Sequence, residues 1–152
     1  MIDRPLQADI QPFGEVCFGC GGNNPHGMRI QSRWEGDTAV CTWLPEPHHL
    51  AAPGVLNGGV IATLIDCHCA TAAIAAAYRA EGRPLGSAPA ILMLTGSLNV
   101  EFLRPTPLAA PVHLRARVIE LTPRKAVLTC SLTSGGEETA RGAVVMVRPK
   151  AR

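Results

Sequence analysis

Two periods of alternation divide the chain. From Gly58 to about Ala80, residues Ile61, Leu64, Ile65, His68, Ala72 and Ala75 fall on one side when successive positions are turned by ~100°. Gly82 and Pro84 end the pattern, so the spacing predicts one long helix. Beyond it the period becomes two. Residues 91–103, 112–121, 126–133 and 139–147 read as strands, with Ser134-Gly135-Gly136 as a hairpin turn. In 112–121 the apolar set is Val112, Leu114, Ala116 and Val118, and His113, Arg115 and Arg117 alternate with it. Ahead of the helix, 28–34 and 38–44 are shorter strand candidates around a Glu35-Gly36-Asp37 turn, 17–27 is loop-like, and 45–53 is a loop with two histidines.

Strands joined mainly as hairpins imply an antiparallel sheet. A single long helix must bury its apolar stripe, and the concave face of that sheet is the available partner. The expected fold is α+β: one long central helix wrapped by a curved antiparallel sheet of five to six strands. Residues 1–152 read as one domain, with 1–27 as an N-terminal extension.

Composition narrows the function classes. The 152 residues are 47% hydrophobic and 17% charged, as in a compact globular protein. Aromatics at 4% and a formal net charge of +2 argue against a nucleic-acid surface. Residues 1–11 carry no apolar leader, and the longest apolar run, 61–78, is interrupted by Asp66 and His68. The expectation is therefore no membrane partner and a cytoplasmic location. The six cysteines are then expected as thiols. Cys17-x-x-Cys20 is half of a zinc pattern, but no second such pair follows, so the expected reading is a turn with packed thiols and no metal.

The chemistry concentrates in residues 53–66, PGVLNGGVIATLID. Gly58 and Gly59 stand at the expected helix start, where backbone N–H groups face outward and the helix dipole favours negative charge. An oxyanion hole is one use of such a place. Asp66 points to the side opposite the apolar stripe, among the small residues Ala62, Cys69, Ala70, Ala73 and Ala77. Small residues admit a second helix at close range. Asp66 and His68 lie ~160° apart around the helix, too far to form a dyad, so His68 is expected in the core with a hydrogen-bond partner. Asp66 also lies about 12 Å along the axis from Gly58. One carbonyl cannot touch both within one chain, but two antiparallel copies of the helix could bring Gly58 of one against Asp66 of the other.

Three motifs together resemble the hotdog-fold thioesterases of the phenylacetyl-CoA thioesterase type, in the acyl-CoA thioesterase superfamily. They are PGVLNGGVIATLID; SLNVEFLRP at 97–105; and CFGC-x-x-N-N-P-x-G-M at 17–28. The resemblance implies thioester hydrolysis, with Asp66 as general base or nucleophile, the Gly58 N–H polarising the carbonyl and the Thr95 hydroxyl holding water. It also implies a homodimer or homotetramer with acyl-CoA between protomers, and no cofactor beyond the coenzyme A of the substrate. Gly59, His49 and Asn99 are the expected substrate contacts. One departure stands out: where the family has His before the paired glycine, this chain has Asn57. Its amide can orient a carbonyl, or cap the helix, but cannot transfer a proton. Two other readings remain open: a non-catalytic acyl-CoA-binding or regulatory protein, and a hydratase or dehydratase on the same fold.

Overall fold

The computed structural model describes residues 4–150. The N-terminal segment forms a 3₁₀ turn at Leu6–Asp9 and a short helix α1 (Phe13–Val16). The strands are β1 (Arg33–Glu35), β2 (Thr38–Trp43), β3 (Leu50–Ala52), β4 (Val55–Leu56), β5 (Leu94–Phe102), β6 (Val112–Leu121), β7 (Lys125–Ser134) and β8 (Glu137–Val147). The long helix α2 spans Gly58–Ala80. Six strands form one antiparallel sheet in the order β1-β2-β6-β7-β8-β5, and β3 with β4 makes a separate small hairpin. This is the expected α+β architecture, with α2 packed on the sheet.

Local chemistry explains the ends of α2. The Asn57 side-chain oxygen accepts from the N–H groups of Gly59 and Val60, a two-donor N-cap. At the other end Gly82 adopts φ +64°, and the Arg83 N–H reaches back to the Tyr78 carbonyl, closing a Schellman turn. By length and composition α2 could cross a membrane, with a mean hydropathy of 1.7 over 18 residues, but most of that stretch is buried inside the fold.

The expected stripe is buried throughout, yet the buried arc is wider than the helical pattern implied. Cys69, Ala73 and Ala77 are also buried. Other parts of the same chain cover them, so the small-residue face is not left whole for the second helix that the sequence suggested. Only Ala62, Asp66 and Ala70 of that face stay half-buried. The approach to the sheet is close: a Cβ on Gly142 of β8 would sit 2.6 Å from Ile65 Cγ2. Gly142→Ala should therefore destabilise the protein by about 1–3 kcal/mol, the range typical of overpacked cores. A urea midpoint unchanged from the native protein would contradict that packing.

The expected strand at 28–34 is shortened to β1, because the N-terminal segment takes its backbone partners. Met28 N–H donates to Phe18 O, Ile30 N–H to Gly19 O, and Ser32 N–H to Gln7 Oε1. The extension thus packs as part of the domain, with Ile10, Cys20, Met28 and Ile30 in the core. The loop expected at 45–53 holds β3, which turns through Pro53 and Gly54 (φ +79°) into β4. A run so short carries no readable alternation.

Candidate active site

Strand β5 is the edge of the sheet, paired on one side to β8. Near its start, Thr95 Oγ1 donates to Asp66 Oδ1 at 2.6 Å. At its end, the Phe102 ring lies against Gly58. The strand therefore links both ends of the chemistry along α2.

Thr95 reaches Asp66 through a change of phase in β5. Thr95 pairs with Met146 and Ser97 with Val145, which leaves Gly96 as an extra, bulged residue. Strict alternation would put Thr95 on the face opposite Val100 and Phe102. The bulge turns it back to the helix side. Gly96 suits the place, since a Cβ there would meet Val147 Cγ2 at 2.7 Å.

At the helix start, Gly59 and Val60 donate to Asn57 Oδ1, and Ile61 N–H donates to Asn57 O. Gly58 N–H is then the first-turn donor with no acceptor among the described residues. Gly59, expected as a second contact, has its N–H committed to the cap. Two depressions accompany these groups. One, of about 180 Å³, lies beside Asp66 and Thr95 and is walled by Phe13, Cys17, Met93 and Met146. The other, of about 410 Å³, lies beside Gly58 and Phe102, with Ala51, Leu56 and Arg104. Within one chain Asp66 and Gly58 thus face different cavities.

His49 and Asn99 fall elsewhere. The His49 ring accepts from Glu46 N–H at Nδ1 and packs on Trp43, while its carbonyl accepts from Asn57 N–H. Burial, then the charge of His48, lowers its pKa. It supports the turn that carries Asn57. Asn99 lies on the outer face of the sheet with Arg115, Arg117 and Arg141, because alternation from Val100 sends it away from α2. The structure does not bring it to Asp66.

His68 is fully buried. Its Nε2 lies 2.9 Å from Ala39 O and its Nδ1 2.7 Å from Ser32 Oγ. Burial outweighs the hydrogen bond to Ala39 and lowers its pKa to about 4. The neutral ring donates from Nε2 and accepts from Ser32 at Nδ1. Gln7 completes the network, donating from Nε2 to Ser32 Oγ and Thr71 Oγ1. Sequence reasoning missed Gln7, Phe13, Met93 and Phe102 as builders of the site. Phe102 alone had a signal, inside the 97–105 motif.

The model of the Thioesterase superfamily matches residues 53–141, more than half of the chain and the part that holds Gly58, Asp66 and Thr95. The chain belongs to the thioesterase superfamily. Among curated relatives, acyl-coenzyme A thioesterase THEM4 of Bos taurus is 32% identical over 100 residues, covering 66% of this chain and 35% of that protein. Its Rattus norvegicus counterpart is 28% identical, with 66% and 37% covered. The match thus spans little more than a third of these relatives' length. Among solved structures, a thioesterase superfamily protein from Shewanella loihica PV-4 is 34% identical with TM-score 0.66, covering 80% of this chain and 91% of that one. The E. coli PaaI protein from the phenylacetic acid degradation operon has TM-score 0.65 at 16% identity, with 82% of each chain covered, a likeness of fold alone. The architecture is that of the hotdog fold, as the sequence resemblance implied.

Proposed function

We propose that the chain hydrolyses acyl-CoA thioesters as a homodimer or dimer of dimers, with each site shared by two protomers. The observation that carries this reading is the placement of Asp66 and Gly58 against opposite ends of one edge strand. The edge offers nine residues of unpaired backbone and exposes Leu94, Leu98 and Phe102. A long apolar edge is a template for strand pairing. If β5 of a second copy pairs antiparallel with Asn99 opposite its own counterpart, Leu98 faces Val100 and, with Gly96 passed over as the bulge, Phe102 of one chain falls opposite Thr95 of the other. Gly58 of each protomer then approaches Asp66 of its mate, and two half-cavities join into one.

In such a site Thr95 holds Asp66 Oδ1, leaving Oδ2 to take a proton from water. The water oxygen bonds to the thioester carbon, and the negative charge moves to the carbonyl oxygen at the Gly58 N–H. Collapse breaks the carbon–sulfur bond, and the proton on Asp66 passes to the coenzyme A thiolate. No metal or redox cofactor takes part. The acyl chain would lie among Phe13, Met93 and Met146. None of the six cysteines is in a disulfide, which suits a reducing cytoplasm.

Thiol release from a panel of acyl-CoAs tests the reaction. Asn57 favours one rival, a non-catalytic acyl-CoA binder, because its side-chain oxygen is committed to the cap. Tight binding without thiol release on any member of the panel would decide for that rival. Mixing tests the sharing. Co-expressed Asp66→Asn and Gly58→Ala chains form heterodimers in which both defects fall in one site and the other is intact, so activity should partly return. Heterodimers proven by mass spectrometry that restore nothing would place both groups in one chain's own site.

A further inference from the structure

Three cysteines distant in sequence converge beside the Asp66 cavity. Cys17 and Cys20 come from the N-terminal segment and Cys67 from α2, and their sulfurs all lie within 4.8 Å of one another. Cys17 Sγ and Cys67 Sγ are 3.8 Å apart. We propose that Cys17, Cys20 and Cys67 form a three-thiolate site for a thiophilic d¹⁰ cation such as Zn²⁺, which clamps the N-terminal segment to α2 beside Asp66.

Spacing is the first support. A tetrahedral zinc with Zn–S bonds of about 2.3 Å holds its sulfurs about 3.8 Å apart. One pair already has that separation, and the rest need a contraction of about 1 Å at most.

The second support is the fold of the loop. Residues 17–21 read Cys-Phe-Gly-Cys-Gly, and the chain doubles back so that Gly21 N–H donates to Cys17 O. A Cβ on Gly19 would sit 2.2 Å from Cys67 Sγ, and one on Gly21 would sit 2.5 Å from Cys17 N. Bare backbone at Gly19 lets the loop close around the helix sulfur.

The third support is access. Cys17 and Cys67 are half-buried, and all three cysteines line the cavity of about 180 Å³, so a fourth ligand position opens to water. The other contacting pair, Cys69 and Cys130, is buried, and among the described residues it is not joined by a third cysteine into a comparable group. The sequence alone offered only half of this site, because the third sulfur comes from a residue 50 positions away.

Cobalt substitution reads the site without reference to activity. The full chain, reduced and metal-free, is titrated with Co²⁺. The expected result is a near-ultraviolet sulfur-to-cobalt band, with tetrahedral visible bands, saturating at one Co²⁺ per chain and displaced by Zn²⁺. Cys17→Ser, Cys20→Ser and Cys67→Ser, each checked for native circular dichroism, should each weaken binding by ~100-fold or more, beyond the usual loss from outer-shell changes. Cys41→Ala, remote from the cluster, should titrate as the native chain does. If a mutant misfolds, the other two still report. A reduced chain that gives no such band, a band indifferent to Cys17→Ser and Cys20→Ser, or a cluster that only oxidises to a Cys17–Cys67 disulfide would overturn the assignment.

Discussion

Asp66→Asn should lower acyl-CoA turnover by ~10²–10⁴-fold, the usual contribution of a positioned general base. The substitution is nearly isosteric, and an amide oxygen can still accept from Thr95 where Oδ1 now does, at 2.6 Å. The change therefore removes charge and basicity while sparing the hydrogen bond and the packing around it. Affinity for a non-hydrolysable acyl-CoA analogue should survive. Steady-state thiol release, analogue binding and unfolding measured on one preparation separate the outcomes. Turnover within a few-fold of native would remove Asp66 from the mechanism. Lost binding or a collapsed unfolding midpoint would instead give it a structural role.

A second large effect concerns acid stability. In the unfolded chain His68 titrates near 6.5, whereas in the fold its pKa is lowered to about 4. The neutral ring is thus the form that the core accepts. Its contribution is fully present above pH 6.5 and is lost as pH falls toward 4, where the folded ring protonates as well. The shift corresponds to about 3 kcal/mol at 1.36 kcal/mol per pKa unit. Protonation would add a hydrogen at Nδ1, where Ser32 now donates, and force Ser32 and Gln7 to reorganise. Urea unfolding at pH 7 and pH 4.5 should therefore differ by most of that amount, since pH 4.5 stops just short of the folded pKa. His68→Asn should show a flatter profile across the same interval, even if it is less stable at pH 7. An NMR titration of His68 near 6.5 in the folded protein would refute the argument.

Different physics made parts of this molecule readable in advance and other parts not. The long helix was legible at both ends because its stops are local: an Asn that caps and a Gly that takes a positive φ. Asp66 stood out because an acid at the middle of an apolar helix has few reasons to be there. His68 was legible because angle alone separates it from Asp66 and sends it inward. The N-terminal segment was not legible, since tertiary hydrogen bonds from Phe18, Gly19 and Gln7 replace the ladder that alternation implies for 28–34. The reach of the buried arc to Cys69, Ala73 and Ala77 depends on the chain wrapping α2, which no helical projection contains. Asn99 was expected at the substrate from its motif, but the phase of β5 sets it on the outer face.

That phase has a consequence for reading other chains. The hydroxyl at Thr95 meets the acid only because Gly96 shifts the pleat by one position. In a chain whose strand alternates without interruption, the residue aligned with Thr95 would face bulk water, however well its motif matched. Its working hydroxyl would have to stand one residue nearer to the phenylalanine. Locating the residue that hydrogen-bonds the helix acid across such chains is therefore a matter of counting pleats from the helix side, and an alignment that closes the gap at Gly96 would name the wrong side chain.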